Sequence, residues 1–243
     1  MSASRTRVLV PVLLLLVVAV VVAGLLVGRG GGGDEAAEET TVVATVEQPT
    51  AVEPAPRTDD PDAPAPAPDV TRRIEGDPMA LGPVDAPVGV VVYSDYSCPY
   101  CQDWAQQTAP TVVEYAEQGT VRLEARDIAI LGEDSLQAAV AAAAAAEQGR
   151  YWEFHELLFT DLAARSPEDL TAMAQEAGLD LDRFAADLAD PAVIATVQEN
   201  MQEAQSLGLQ STPSFIVGGT PVVGAQPAEV FVEVIEQELA RRQ

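Results

Sequence analysis

The chain has 243 residues, 38 acids against 13 bases, a formal net charge of −25 and two cysteines. That length holds one domain plus extra segments, not two large domains. A surface this acidic is repelled by phosphate backbones and anionic headgroups, which excludes nucleic acid as a partner and argues against tight peripheral binding to lipid.

Val8 to Val27 is an almost unbroken apolar run. At helical rise twenty residues span about 30 Å, the thickness of a bilayer core. Arg5 and Arg7 precede the run, while Asp34, Glu35, Glu38 and Glu39 follow it. The positive-inside rule then places the N-terminus in the cytoplasm and everything after residue 30 outside. Residues 1–29 therefore read as a cytoplasmic stub and a single-pass transmembrane anchor. A cleaved signal peptide ending near Val21-Val22-Ala23 is the alternative, and it gives the same extracytoplasmic compartment, where disulfides persist.

Residues 30–74 begin with a glycine run and continue through acids and seven prolines between Pro49 and Pro68. Such a composition buries too little apolar surface to offset ordering entropy, so a disordered linker is expected.

A folded domain is expected over 75–243. Val88–Tyr93 is β-branched and reads as a buried strand. A helix follows from about Pro99 to Gln118, with proline at its first position, Gly119 past its end and a kink at Pro110. Val121–Arg126 alternates apolar and charged residues and reads as a second strand. From Asp134 to about Leu207 the pattern is helical, with an alanine run at Ala138–Ala146 and an N-cap plus proline start at Ser166-Pro167. Ser214–Val217 and Pro221–Val223 flank Gly218-Gly219 as a hairpin. A closing amphipathic helix is expected from about Ala228 to Arg241. The order strand, helix, strand, helical block, hairpin, helix is an α/β or α+β layout around one sheet.

The two cysteines are Cys98 and Cys101, in Cys98-Pro99-Tyr100-Cys101 directly after the first strand. A C-x-x-C opening a helix puts its first sulfur where unpaired N–H groups and the helix dipole favour negative charge, which lowers the thiol pKa. Cys98 is then the exposed nucleophile and Cys101, one turn deeper, the resolving thiol of a mixed-disulfide cycle. No cofactor or metal is expected: a closed zinc site needs four ligands, and His155 is the chain's one histidine. His155 sits in an aromatic helix and reads as structural. Asp95, three residues before Cys98, could accept a proton or tune the thiol, or hydrogen-bond its own turn. Glu124 and Asp127 carry the same two readings, leaning to structure. Trp104 suits core packing or a place beside the sulfurs.

Four landmarks together resemble the DsbA-like branch of the thioredoxin superfamily. They are Tyr93-Ser94-Asp95-Tyr96-Ser97-Cys98-Pro99-Tyr100-Cys101, Arg126-Asp127, Gly149-Arg150-Tyr151-Trp152-Glu153-Phe154-His155 and Gly208-Leu209-Gln210-Ser211-Thr212-Pro213-Ser214-Phe215. The resemblance implies a thioredoxin fold with a helical insertion at about 131–207. It also implies a cis Thr212–Pro213 bond beside the cysteines, Thr212 offering its backbone to a substrate strand; an ordinary trans proline opening a strand is the alternative. As function it implies a membrane-tethered thiol–disulfide oxidoreductase acting on unfolded or partly folded secreted proteins and recharged by a membrane-embedded redox partner. Pro99-Tyr100 departs from the Pro-His of the best-known oxidases of that branch, which leaves the direction of electron flow open. An extracytoplasmic address favours an oxidase. The competing reading is a thioredoxin-fold binding or holdase module with a structural disulfide.

Overall fold

A computed structural model describes residues 68–242. The Val8–Val27 run and the linker up to Ala67 lie outside the described residues. Among the described residues no helix is long and apolar enough to cross a membrane.

The centre is a mixed five-stranded sheet. Its strands are β1 (Ala80–Leu81), β2 (Val88–Ser94), β3 (Val121–Asp127), β4 (Ser214–Val217) and β5 (Thr220–Val223), in the order β1-β3-β2-β4-β5. β2 and β3 are parallel, with Val88 opposite Val121 and Ser94 opposite Asp127. β4 runs antiparallel to β2, and β5 pairs back onto β4. Gly218 and Gly219 make that turn with φ of +58° and +110°, left-handed conformations that a β-carbon would strain.

Parallel strands need a crossover. Here it is made by α1 (Pro99–Gln107) and α2 (Ala109–Glu117). The sequence suggests one kinked helix; the chain instead breaks at Thr108, which ends α1 and begins α2. Pro110 has no N–H, and its ring would collide with the carbonyl four residues back, which disfavours a straight continuation of the helix.

Every residue of β2, β3 and β4 is buried, because helices cover both faces of the sheet. Val90, Val92, Phe215 and Val217 pack with Trp104 of α1 and with Phe231, Val234 and Ile235 of α8 (Ala228–Arg241). Trp104 is therefore a core residue, its ring centroid 4.8 Å from that of Phe215. On the opposite face Val91, Tyr93 and Ile216 meet Ala204 and Met201 of α7 (Pro191–Ser206).

Between β3 and β4 lies the helical insertion: α3 (Glu133–Ala146), α4 (Tyr151–Leu158), α5 (Pro167–Glu176), α6 (Leu181–Asp187) and α7. Alanine side chains let α3 pack at close range against α4 and α7. Ser166 and Asp169 form a reciprocal capping box at the start of α5.

The alternating charge of β3 does not face water. Glu124 is fully buried and takes Arg126 Nη2 at 2.6 Å and the Arg72 and Arg73 N–H groups at 2.8 and 2.9 Å. Burial by itself would push its carboxyl up; those donors hold it below the usual carboxylate range. Arg126 also reaches Glu203 on α7 at 3.3 Å, and Arg72 reaches the same carboxylate at 2.8 Å. The chain is thus tied to the domain ahead of Ile74, where the linker was expected to end.

Candidate active site

The strand directions bring three distant segments to one end of the sheet. β2 ends there and leads into Asp95–Cys101; β3 ends there and leads into Ile128–Gly132; β4 begins there after Thr212-Pro213. Cys98 occupies the N-cap position of α1, with Pro99 as the first helical residue, and no side chain caps the helix. The backbone N–H groups of Tyr100 and Cys101, at the first turn of α1, also stabilise a negative charge on Cys98 Sγ.

The Cys101 thiol donates to Cys98 Sγ, and this bond, with help from Thr212 and the two N–H groups, pulls the Cys98 thiol down to about 6 against the pull of burial. The same bond together with burial pushes the Cys101 thiol up. Cys98 Sγ also lies 3.4 Å from the carbonyl oxygen of Thr212. The Thr212–Pro213 bond is cis.

Cys98 is less open than its nucleophilic reading requires. It is 5% exposed, while Cys101 is wholly buried. The order of access between the two holds, but the expected exposed thiol is a recessed one: its residue is closed in by the turn before it and the Thr212-Pro213 segment. Pro99 and Tyr100, the latter 66% exposed, are the residues of the motif that face solvent.

Asp95 is fully buried. One carboxylate oxygen accepts from Ser97 N–H at 2.8 Å and Ser135 Oγ at 2.7 Å; the other accepts from Ile130 and Leu131 N–H at 2.8 and 3.1 Å. Its carbonyl takes the Cys98 N–H at 3.0 Å. Asp95 thus welds the turn before Cys98 to the start of the insertion, as the turn-forming reading has it.

Beneath this turn is a sealed polar cluster. Tyr151 and Tyr96 hydroxyls meet Asp127, and Tyr96 Oη lies 2.8 Å from His155 Nδ1. Burial pulls His155 down to about 3, so the ring is neutral, and burial pushes Asp127 up to about 7 against its tyrosine donors. Asp127, Tyr96, Tyr151 and His155 thus satisfy one another without water, the tyrosine hydroxyls donating to the carboxyl.

Arg165 was not singled out by the sequence. It is 4% exposed and donates to the carbonyls of Tyr96 and Leu158, both at 2.7 Å, and of Asp161 and Ala164. It pins the Tyr96 backbone, two residues from Cys98, to the insertion. Gln102 and Gln106 of α1 add bonds of 2.6 and 2.9 Å to the Phe159 carbonyl. No local pattern marks an arginine whose partners are main-chain oxygens. Among the described residues no cluster of side chains could hold a metal ion.

A family model described as thioredoxin matches residues 75–237. The chain belongs to the thioredoxin family. Its fold and its C-x-x-C site are those of a DsbA-like thiol–disulfide oxidoreductase domain, the helical block being the insertion. A thioredoxin-like oxidoreductase from Silicibacter pomeroyi DSS-3 is similar to it at 32% identity, covering 70% of this chain and 99% of that one, with a TM-score of 0.61. A probable disulfide bond formation protein D from Bacillus cereus is 29% identical over 58% of this chain and 70% of its own length. A Na(+)/H(+) antiporter NhaA 3 from Salinispora tropica is 37% identical over 57% of this chain, but the match covers 21% of that protein. The matched part of the chain spans 21–24% of the length of the antiporters it matches.

Proposed function

We propose that the chain is an extracytoplasmic oxidase that exchanges disulfides with secreted or membrane proteins, Cys98 being the attacked and attacking sulfur, Cys101 the resolving one, and Thr212 the backbone partner of a substrate strand. Pro99, Tyr100 and Asp95 support that site, Pro213 completes it, and Val8–Val27 tethers it to the membrane, with residues 30–67 as spacer.

One observation carries this reading: the free N-terminus of α1 and the Cys101 thiol both stabilise a thiolate on Cys98. A stabilised thiolate favours the reduced pair, so the oxidised pair accepts electrons readily. In the forward cycle a substrate thiolate attacks Cys98 Sγ of the Cys98–Cys101 disulfide. The substrate–Cys98 bond forms, the Cys98–Cys101 bond breaks, and Cys101 leaves with the electron pair and takes up a proton. A second substrate thiolate then attacks the substrate sulfur of the mixed disulfide. The substrate disulfide closes, Cys98 leaves as the thiolate, and two electrons have passed to the enzyme. A membrane-embedded oxidant restores the Cys98–Cys101 bond.

The recessed setting of Cys98 favours a second reading, a binding module whose disulfide is structural. A dithiol peptide offered to the oxidised full chain separates the two. Exchange that disappears in Cys98→Ser supports the oxidase; equal rates in both proteins remove it.

A further inference from the structure

One loop of the insertion grips the redox motif from both sides. Phe159–Arg165 joins α4 to α5. On one side Arg165 Nη2 donates at 2.7 Å to the carbonyl of Tyr96, two residues before Cys98. On the other side Gln102 and Gln106 of α1 donate to the Phe159 carbonyl at 2.6 and 2.9 Å. The Phe159 ring also packs on Tyr96, their centroids 4.9 Å apart. The turn that leads into Cys98 and the helix that leaves it are fastened to the same short loop.

Arg165 is a costly residue for such a joint. It is 4% exposed, and among the described residues all its hydrogen bonds go to main-chain carbonyls. Its Nε–H is buried without an acceptor among those residues. A cation taken out of water loses several kcal/mol of solvation, and no carboxylate bonded to it restores the loss here. The Leu158 carbonyl offsets part of that cost, because it ends α4, where helical carbonyls lack partners and the dipole favours a cation. Capping α4 needs Leu158 alone. The reach to Tyr96 is what capping leaves unexplained.

That reach acts on a turn with little freedom left. The Asp95 carbonyl takes the Cys98 N–H at 3.0 Å, and the Asp95 carboxylate takes the Ser97 N–H at 2.8 Å. With the Tyr96 carbonyl fixed as well, Cys98 is held at the N-cap of α1. In the oxidised protein the Cys98–Cys101 bond also holds that sulfur. In the reduced protein the turn holds it alone, so loosening the turn penalises the reduced form more.

We propose that Arg165 is a positioning residue for disulfide exchange: it holds the turn before Cys98 so that the reduced pair keeps its thiolate at the start of α1, and through it the insertion sets the redox poise of the couple. This role rests on the exchange activity proposed above.

The full chain and its variants are equilibrated with glutathione redox buffers at pH 8, and the reduced forms are alkylated across pH. Arg165→Met should raise the alkylation midpoint of Cys98 by about one pH unit and weaken the pair's preference for the reduced state about tenfold, or about 30 mV for this two-electron couple. Arg165→Lys keeps the charge, but a compact ammonium lacks the planar fork that reaches Tyr96, Leu158, Asp161 and Ala164 at once; it should shift both readouts as the methionine variant does. Gln102→Ala/Gln106→Ala removes no charge and frees the loop from α1. It should move both readouts in the same direction, the equilibrium by about threefold, and it decides the matter alone if the Arg165 variants do not fold. An unchanged potential in the folded variants, whatever their loss of stability, would make Arg165 a cap of α4 and overturn the assignment. Native behaviour in Arg165→Lys would overturn it too, since charge and not position would then be at work. A native chain that does not react with glutathione fails the exchange reading itself, and the role of Arg165 falls with it.

Discussion

Asp95 touches Cys101 through its main chain alone: its N–H donates to Cys101 Sγ at 3.5 Å, while its side-chain oxygens are taken up by Ser97, Ile130, Leu131 and Ser135. A carboxylate so engaged has no lone pair free to collect the resolving thiol's proton. Asp95→Asn keeps the shape but replaces one acceptor oxygen with a donor. It should lower stability by about 1–3 kcal/mol, the cost of stranding buried donors. The exchange rate of the folded protein should change by much less than the ~100-fold that losing a general base brings. Denaturant melts paired with single-turnover exchange measure both quantities, and a hundredfold loss of rate with unchanged stability would return Asp95 to the proton-acceptor role.

The reduced protein should show one reactive thiol. Iodoacetamide should modify Cys98 with a midpoint near pH 6, while Cys101 stays unmodified across the neutral range. Because the folded Cys98 pKa is lowered, its contribution to the stability of the reduced form is complete above the unfolded thiol value. That contribution is lost as pH falls through about 6. Melts of the reduced protein from pH 8 to pH 5 should therefore show falling stability from this group, and Cys98→Ser should remove that component.

Asp127 predicts a pH response of opposite sign. Its folded pKa is raised to about 7, so the stability it contributes is full below the unfolded carboxyl value and is lost as pH rises through about 7. Asp127→Asn keeps an acceptor oxygen for the tyrosine hydroxyls and carries no charge. It should fold and should flatten the decline in stability between pH 4 and pH 7 seen in the native chain. A decline of unchanged steepness in Asp127→Asn would assign it to another group.

Glu124 is the anchor of a buried charge network that joins β3, α7 and the segment ahead of Ile74. Glu124→Ala leaves Arg126 and the Arg72 and Arg73 N–H groups without their shared acceptor. A loss of about 3–5 kcal/mol is expected, as for a broken buried pair. Urea unfolding gives the figure. A change below 1 kcal/mol would mean that water or Glu203 compensates.

Much of this was legible locally. The C-P-Y-C motif after an apolar strand, the Gly218-Gly219 turn and the closing helix are each written in a short window, and the structure has each of them. The reading failed where the outcome depended on partners remote in sequence. β3 looks half-exposed because Arg122, Glu124 and Arg126 alternate with apolar residues, yet Glu203 and the backbone of Arg72 and Arg73, brought from far along the chain, bury them. β1 is two residues long and carries no periodic signal. The break at Thr108 was visible as Pro110, but whether a proline bends or ends a helix is set by packing: Thr108 Oγ1 donates to the Gln226 carbonyl at 3.1 Å. The burial of Cys98 arises from the approach of Thr212, more than a hundred residues away.

The chemistry and its surroundings sit on three separate connections at one rim of a sheet whose central strands are sealed on both sides. The register of β2 against β3 and β4 sets where each connection starts, and the bonds from Ile128, Ile130 and Leu131 back to Ser94 and Asp95 make the connection after β3 part of what holds the turn before Cys98.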